Sequence, residues 1–206
     1  MSKQTYGPSR RDLLKGLVIG AGGYAFGAML IHPQEAVGQS VQGSLEKVPM
    51  EARWSVACGG LVGFQVDLYK SLLDQHGRDK FLEYVMKTAP AIAAAHKALA
   101  DRFGLTGKDA KSAAAIIQAM VTTVYGPTQK YEIGEATAEK ARVQCINCAL
   151  WSNLQAKKIT DDICSAISKY YWDGLAKAIN PKLTATLVKA RPLGDSVCEW
   201  FVELKA

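Results

Sequence analysis

The sequence predicts an α+β fold in which N-terminal helices pack on a small antiparallel sheet and a C-terminal β-hairpin closes the chain. Apolar residues recur at helical spacing after residue 55, whereas the alternating pattern of strands is confined to the second half. Helices followed by mixed strands and helices are typical of the α+β class. The 206 residues, 49% hydrophobic and 21% charged, suit one such domain with an additional tail.

The tail, residues 1–38, is predicted to be a twin-arginine signal peptide. Arg10 and Arg11 lie in the segment 9–15, which matches a twin-arginine motif, and an uncharged run and a small-residue site follow. Residues 39–52 are mostly polar and small, so 39–54 is predicted to be a linker and 55–206 a single α+β hydrolase-like domain. Without cleavage the tail would be a membrane anchor, although its apolar run is shorter than the about 20 residues that span a bilayer.

This signal predicts a periplasmic or exported protein whose first partner is the twin-arginine translocase. The route carries folded proteins, often with a cofactor inserted, so a larger exported enzyme is a second expected partner. Removal of the tail lowers the formal charge from +6 to +4, because it takes away four basic and two acidic residues. Such a weak positive charge gives no reason to expect a nucleic-acid partner.

Two long helices are predicted first in the domain. The first apolar pattern begins at Leu61 and stops at Gly77, and the second covers residues 79–103. Pro90 lies inside the second pattern and should kink or divide it, because proline lacks the amide N–H that a helix interior uses.

A third helix and the strands complete the prediction. Thr106 and Asp109 resemble a capping box for this third helix, which Gly126 ends. Extended segments are expected at 130–134 and 138–146, and a hairpin at 183–191 and 197–204. Short and longer helices fill the space between them, at 148–156 and after residue 162. Cys198 and Trp200 share the apolar face of the last strand, so both should point into the core.

The chain has five cysteines, and four of them lie in its C-terminal part. Cys145 and Cys148 form a C-x-x-C motif, whose two sulfurs can chelate one metal ion. Cys164 and Cys198 could complete a four-thiolate set for Zn²⁺ or an Fe–S cluster. This possibility supports the alternative prediction of a periplasmic metal-binding or Fe–S redox or accessory protein.

Several other interpretations of the same cysteines stay open. Cys145 and Cys148 could form a structural disulfide after export, and Cys198 could be a buried small hydrophobe. Cys164 follows a predicted helix N-terminus, where the dipole lowers a thiol pKa. A thioredoxin-like dithiol is not expected, because the motif lies late in the chain and not after the first strand of a βαβ unit. His96, inside an alanine-rich helix, is expected to be a satisfied, partly buried side chain.

The C-terminal pattern resembles the L-2-amino-thiazoline-4-carboxylic acid hydrolase family. The resemblance covers roughly residues 55–204, and its specific part is 142–201. The resemblance rests on R-V-Q-C at 142–145, the helix carrying Cys164, N-P-K-L at 180–183 and G-D-S-V-C-E-W-F at 194–201. More loosely, the chain is similar to the 4-vinyl-reductase-type small-molecule-binding domain, which also closes with a cysteine-bearing strand.

The resemblance implies an α+β hydrolase that opens a thiazoline or cyclic amidine ring, with a small-molecule substrate in a cysteine-lined pocket. Such a reaction needs a nucleophile or an activated water, and a proton donor for the departing group. Matched by position, the residues that the resemblance marks for catalysis are Cys164, Cys198, Asp195 and Asn180, with Cys145 as a further family cysteine. Cys148 is an addition to that pattern.

Overall fold

The computed structural model describes residues 46–205 as helices on one face of an antiparallel sheet. The helices are α1 (Met50–Arg102), α2 (Ala110–Tyr125), α3 (Ala149–Ala156) and α4 (Ile163–Ile179). The strands are β1 (Lys130–Ala136), β2 (Lys140–Asn147), β3 (Leu183–Lys189) and β4 (Cys198–Leu204), and a 3-10 turn spans Arg191–Leu193. The sheet order is β1-β2-β4-β3, with every neighbouring pair antiparallel. The α+β class and the closing β3–β4 hairpin are therefore confirmed.

The helix α1 contains one break, which lies at Gly77 and not at Pro90. Gly77 has φ of 75° and ψ of 171°, so the helical path stops and resumes there as the sequence pattern predicted. Pro90 lies within the helical run, and the prediction that it divides the helix is wrong. The helix also begins at Met50, so the last part of the predicted linker is helical.

The start of α2 is fixed by a reciprocal cap between Asp109 and Ser112. The Ser112 amide donates to Asp109 Oδ1 at 2.7 Å, and the Asp109 amide donates to Ser112 Oγ at 3.3 Å. The predicted pairing of Thr106 with Asp109 is therefore wrong. Asp109 is the N-cap itself, three residues after Thr106.

The core lies between the helices and the inner face of the sheet. Ala141, Val143 and Cys145 alternate along β2 with exposed or half-buried residues, and their side chains are buried. Trp172 of α4 stacks on Trp200 of β4, with ring centroids 4.3 Å apart and an interplanar angle of 9°. Cys198 is also buried, as the alternation in the last strand predicted.

The compact unit begins at Val48, earlier than the predicted domain start at residue 55. The predicted signal peptide, residues 1–38, lies outside the described residues. Among residues 46–205, no helix is both long enough and apolar enough to cross a membrane.

Candidate functional site: a cluster of four cysteines

Four of the five cysteines lie near one end of the sheet, where it adjoins two helix N-termini. Cys145 lies near the end of β2, directly opposite Cys198 at the start of β4. Cys148 is the N-cap of α3, and Cys164 lies in the first turn of α4. None of the four forms a disulfide, and Cys148 is the one whose side chain is partly exposed, whereas the other three are buried.

The C-x-x-C motif holds its two thiols in direct contact, and their pKa values are shifted in opposite directions. The Cys145 thiol hydrogen-bonds to Cys148, and this bond both raises the pKa of Cys145 and lowers the pKa of Cys148 to about 7. Cys148 Sγ also accepts the Trp151 backbone N–H at 3.3 Å, because Cys148 caps α3. Hydrogen-bond donors and a helix N-terminus stabilise a thiolate, so Cys148 is the ionised member of the pair.

A buried glutamine fixes the geometry of the pair. Gln129 is 4% exposed and lies in the loop between α2 and β1. Its Nε2 donates to Cys145 Sγ at 3.2 Å, and its Oε1 accepts the Ala149 amide of α3 at 2.8 Å. The same Nε2 lies 2.7 Å from the Tyr131 hydroxyl. One side chain thus links the end of β2 to the start of α3.

Arg191 supplies positive charge to the cluster from the turn between β3 and β4. Its guanidinium is anchored by the Ile146 carbonyl at 2.7 Å and the Ser196 carbonyl at 3.1 Å. Its electrostatic attraction contributes to the lowered pKa of Cys148, and its backbone N–H donates to Cys198 Sγ at 3.4 Å. A cation beside a thiolate favours the charged form of the sulfur.

The two remaining thiols of the cluster keep their protons. Burial is the main reason that the pKa values of Cys164 and Cys198 are raised, and each is also raised by its interaction with Cys148. The thiol at the first turn of α4 is therefore not the low-pKa cysteine expected from its position. At pH 7 Cys148 is about half ionised, whereas the other three thiols of the cluster are neutral.

Of the other two residues marked by the family resemblance, Asp195 interacts with a cysteine of the cluster, whereas Asn180 lies at the far end of α4. Asp195 is exposed in the β3–β4 connection, where Oδ2 accepts the Ala190 amide at 2.8 Å, and its charge interacts with Cys198. Asn180 caps the opposite end of α4 and donates to the Lys108 carbonyl at 2.8 Å. At about 1.5 Å of rise per residue, roughly 24 Å of helix separate it from Cys164.

No metal centre emerges from the described residues. Within 46–205, no group of three or more His, Cys, Asp or Glu side chains is arranged to hold a metal ion. The Zn²⁺ or Fe–S centre on Cys145, Cys148, Cys164 and Cys198 therefore stays a prediction. Two surface depressions lie near Glu83 on α1 and near Arg142 on the outer face of the sheet, and neither is lined by a cysteine.

Cys58 and His96 lie outside the cluster, and each has a polar neighbour within the fold. Cys58 lies inside α1, where its thiol is 3.8 Å from the Thr123 carbonyl. His96 Nδ1 lies 2.5 Å from the Tyr171 hydroxyl, in agreement with the expected satisfied histidine, and burial lowers its pKa.

Comparisons with known proteins give a fold and no family. No protein-family model matches the chain, and no curated protein matches it. Among solved structures, the chain is similar to the phenol-responsive sensory domain of the transcription activator PoxR with phenol. That match has a TM-score of 0.54 and 11% identity, and it covers 69% of this chain and 74% of that chain.

A second similar structure is a trafficking protein particle complex subunit 3 from Naegleria fowleri covalently bound to palmitic acid. Its TM-score is 0.51 at 15% identity, and the match covers 70% of this chain and 95% of that chain. At these identities the likeness concerns the fold alone. The resemblance to the thiazoline hydrolase family stays a prediction.

Proposed function

We propose that the chain is a small-molecule hydrolase-like protein in which the Cys148 thiolate attacks an electrophilic carbon of a bound organic substrate. The observation that carries the proposal is the chemistry of Cys148. It is the partly exposed cysteine of the cluster, and hydrogen bonds from Cys145 and α3, together with the positive charge of Arg191, lower its pKa to about 7. A thiolate that is ionised at neutral pH and reachable from solvent is what a cysteine nucleophile requires.

The substrate class follows from the sequence resemblance and from the neighbours in fold. A thiazoline or other cyclic amidine carries a carbon between N and S that a thiolate can attack. Cys145 keeps its proton and contacts Cys148, so it is placed to donate that proton to the departing N or S. Water then releases the product from Cys148. The two similar structures hold phenol and covalently bound palmitic acid, which supports an organic ligand for this fold.

Turnover by matched cysteine variants tests the proposal. Cys148→Ser preserves the cap of α3, because serine is a preferred N-cap residue. We expect it to lower turnover of 2-amino-thiazoline-4-carboxylate or a related cyclic amidine at least about 10³-fold, since removal of a nucleophile from a comparable enzyme costs about 10⁶ in kcat. Cys58→Ser, which removes a thiol outside the cluster, should keep the wild-type rate.

Two results would overturn the proposal. One is a Cys148→Ser protein that turns over substrate at the wild-type rate. The other is a wild-type protein with a folded circular-dichroism spectrum that neither turns over nor forms a covalent adduct with cyclic amidines and acyl thioesters. Intact-mass spectrometry of the mixture detects the adduct directly and does not depend on release of product.

We further propose that the protein is exported in its folded state by the twin-arginine translocase. The support is the motif at 9–15 and the small-residue site that ends at Gly38. Replacement of Arg10 and Arg11 by Lys should retain the protein in the cytoplasm, and fractionation with an antibody measures this. Equal periplasmic amounts of the variant and the wild type would contradict export by this route.

A further inference from the structure

We propose that Cys145 and Cys148 are a redox-active dithiol that carries out thiol–disulfide exchange with accessible disulfides. Cys148 is the attacking thiol and Cys145 the resolving thiol. This activity uses a thiol that the proposed function also uses, but it transfers electrons between sulfurs and needs no carbon substrate. The two proposals can therefore fail separately.

The first support is the unequal exposure of two thiols in contact. Cys148 is a partly exposed residue, so it is the member of the pair that an incoming disulfide would meet, whereas Cys145 is 1% exposed. A mixed disulfide formed on Cys148 therefore leaves the second thiol beside it and shielded from solvent. This is the arrangement in which an internal attack outruns attack by another molecule.

The second support is that donors are provided for both sulfurs. The Trp151 N–H holds Cys148 Sγ at 3.3 Å, and Gln129 Nε2 lies 3.2 Å from Cys145 Sγ. The amide of Gln129 can stabilise the Cys145 thiolate when that thiol loses its proton in the second step. Because the motif follows β2 and opens α3, its late position in the chain does not alter this local chemistry.

The exchange balances in atoms and electrons. The Cys148 thiolate attacks one sulfur of the substrate disulfide, whose S–S bond breaks and releases the first thiolate. Cys145 then loses its proton and attacks Cys148 Sγ, so the mixed S–S bond breaks and the second thiolate leaves. The dithiol loses two electrons and becomes a Cys145–Cys148 disulfide, and the substrate gains them as two thiols.

The lowered pKa of Cys148 sets the expected rate. At pH 7 a thiol with a pKa near 7 is about half ionised, against roughly 1% for an unperturbed thiol near 9, whereas its intrinsic nucleophilicity falls about eightfold. The net gain is about sixfold. Cys148 should therefore react about sixfold faster at pH 7 than an exposed ordinary thiol.

Cys198, the cross-strand partner of Cys145, is the other candidate for the resolving thiol. Cys198 lies directly opposite Cys145 in the β2–β4 ladder and is 6% exposed. A mixed disulfide on Cys148 could in principle be resolved by Cys198, whose thiol also interacts electrostatically with Cys148. The test therefore has to identify the resolving cysteine.

Reaction of the reduced full-length protein with 5,5′-dithiobis(2-nitrobenzoate) tests the proposal. We expect a fast phase that releases two nitrothiobenzoates per chain and leaves no adduct in the intact mass. Cys145→Ser should release one and retain the other on Cys148, as peptide mapping shows. Cys148→Ser should lose the fast phase, while Cys58→Ser and Cys164→Ser should behave as the wild type.

Three outcomes would overturn the proposal. The first is a fast phase that survives Cys148→Ser, and the second is a wild-type adduct that persists on Cys148 without a second release. The third is retention of the adduct in Cys198→Ser and not in Cys145→Ser. Loss of hydrolysis with intact exchange would refute only the proposed function, since exchange is read from sulfur chemistry alone.

Discussion

The hydrogen bond from Cys145 and, to a smaller extent, the charge of Arg191 distinguish Cys148 from an ordinary helix-capping thiol. Arg191 lies in the β3–β4 turn, and its guanidinium lowers the pKa of Cys148 in addition to the donors from Cys145 and α3. The thiolate is therefore the product of three separate segments of the chain. None of these segments creates it alone.

Replacement of Arg191 by Gln should raise the pKa of Cys148 and slow its alkylation by iodoacetamide at pH 7. A partly exposed charge pair is worth about 0.2–1 kcal/mol, so the loss in rate should reach about fivefold at most. Arg191→Lys keeps the charge and should lose less. The pH profile of alkylation, half-maximal near pH 7 in the wild type, should move to higher pH in Arg191→Gln; an unmoved profile would show that Arg191 does not act on Cys148.

At the scale of single elements, two glycines of α1 should respond to the same substitution with opposite signs. Gly77 has φ of 75° and ψ of 171°, a region that is essentially restricted to glycine, and nothing lies within 4 Å of a Cβ added there. Gly77→Ala should therefore destabilise the fold by about 1–3 kcal/mol through backbone strain alone. Gly60 lies in the helical run with the same free space, so Gly60→Ala should stabilise it by about 0.5–1 kcal/mol.

Urea unfolding followed by circular dichroism measures both free energies of unfolding. The matched pair excludes a steric explanation, since neither added methyl group meets a neighbouring atom. If both substitutions changed stability in the same direction, the break at Gly77 would not be the feature that requires glycine.

The cap of α2 gives a second prediction for an element. Asp109→Ala removes the carboxylate that accepts the Ser112 amide at 2.7 Å, and the loss should be about 1 kcal/mol in the free energy of unfolding. Asp109→Asn retains an acceptor oxygen and should keep most of the stability. An Asn variant as unstable as the Ala variant would show that charge, and not the hydrogen bond, stabilises this helix end.

Local pattern predicted the elements better than it predicted their ends. Alternation along 141–145 and 198–202 identified the inward face of β2 and β4, because each buried strand face repeats every second residue. The start of α1 differs from the predicted linker, because residues 50–54 belong to a helix whose stability comes from packing further along. Pro90 lies within the helical path of α1, so the proline does not divide this helix.

The cysteine cluster was predictable in membership and not in chemistry. The C-x-x-C motif indicated two of the cysteines, and the helix start and the strand face indicated one each; the sheet register brings Cys145 opposite Cys198. Gln129 and Arg191 come from loops that carry no periodic pattern, so nothing in the sequence aimed them at the sulfurs. Cys148 has the lowered pKa chiefly because of its hydrogen bond with Cys145 and secondly because it caps α3, a role that only the exact helix boundary reveals.

For the whole molecule, the buried acids make the fold sensitive to alkaline pH. Burial raises the pKa values of Cys164 and Cys198, and contact with Cys148 together with burial raises that of Cys145. Burial likewise raises the pKa values of Tyr125, Tyr131 and Tyr171. Cys148 is the exception, since its lowered pKa adds stability as pH rises from about 7 to its unfolded value.

The sign follows from which state binds more protons. Above about pH 8.5 the thiols ionise in the unfolded chain, whereas Cys145, Cys164 and Cys198 keep their protons in the fold, so the folded state binds more protons and stability falls as pH rises. Each such group contributes up to about 1.4 kcal/mol per pH unit.

Urea unfolding in the presence of a reductant, from pH 7 to pH 10, should therefore show a free energy of unfolding that declines above about pH 8.5. Cys164→Ala removes one of these groups and should make the decline shallower by up to about 1.4 kcal/mol per pH unit, whatever it costs at pH 7. A wild-type stability that stays level to pH 10, or a variant slope equal to that of the wild type, would mean that the thiols ionise within the folded protein.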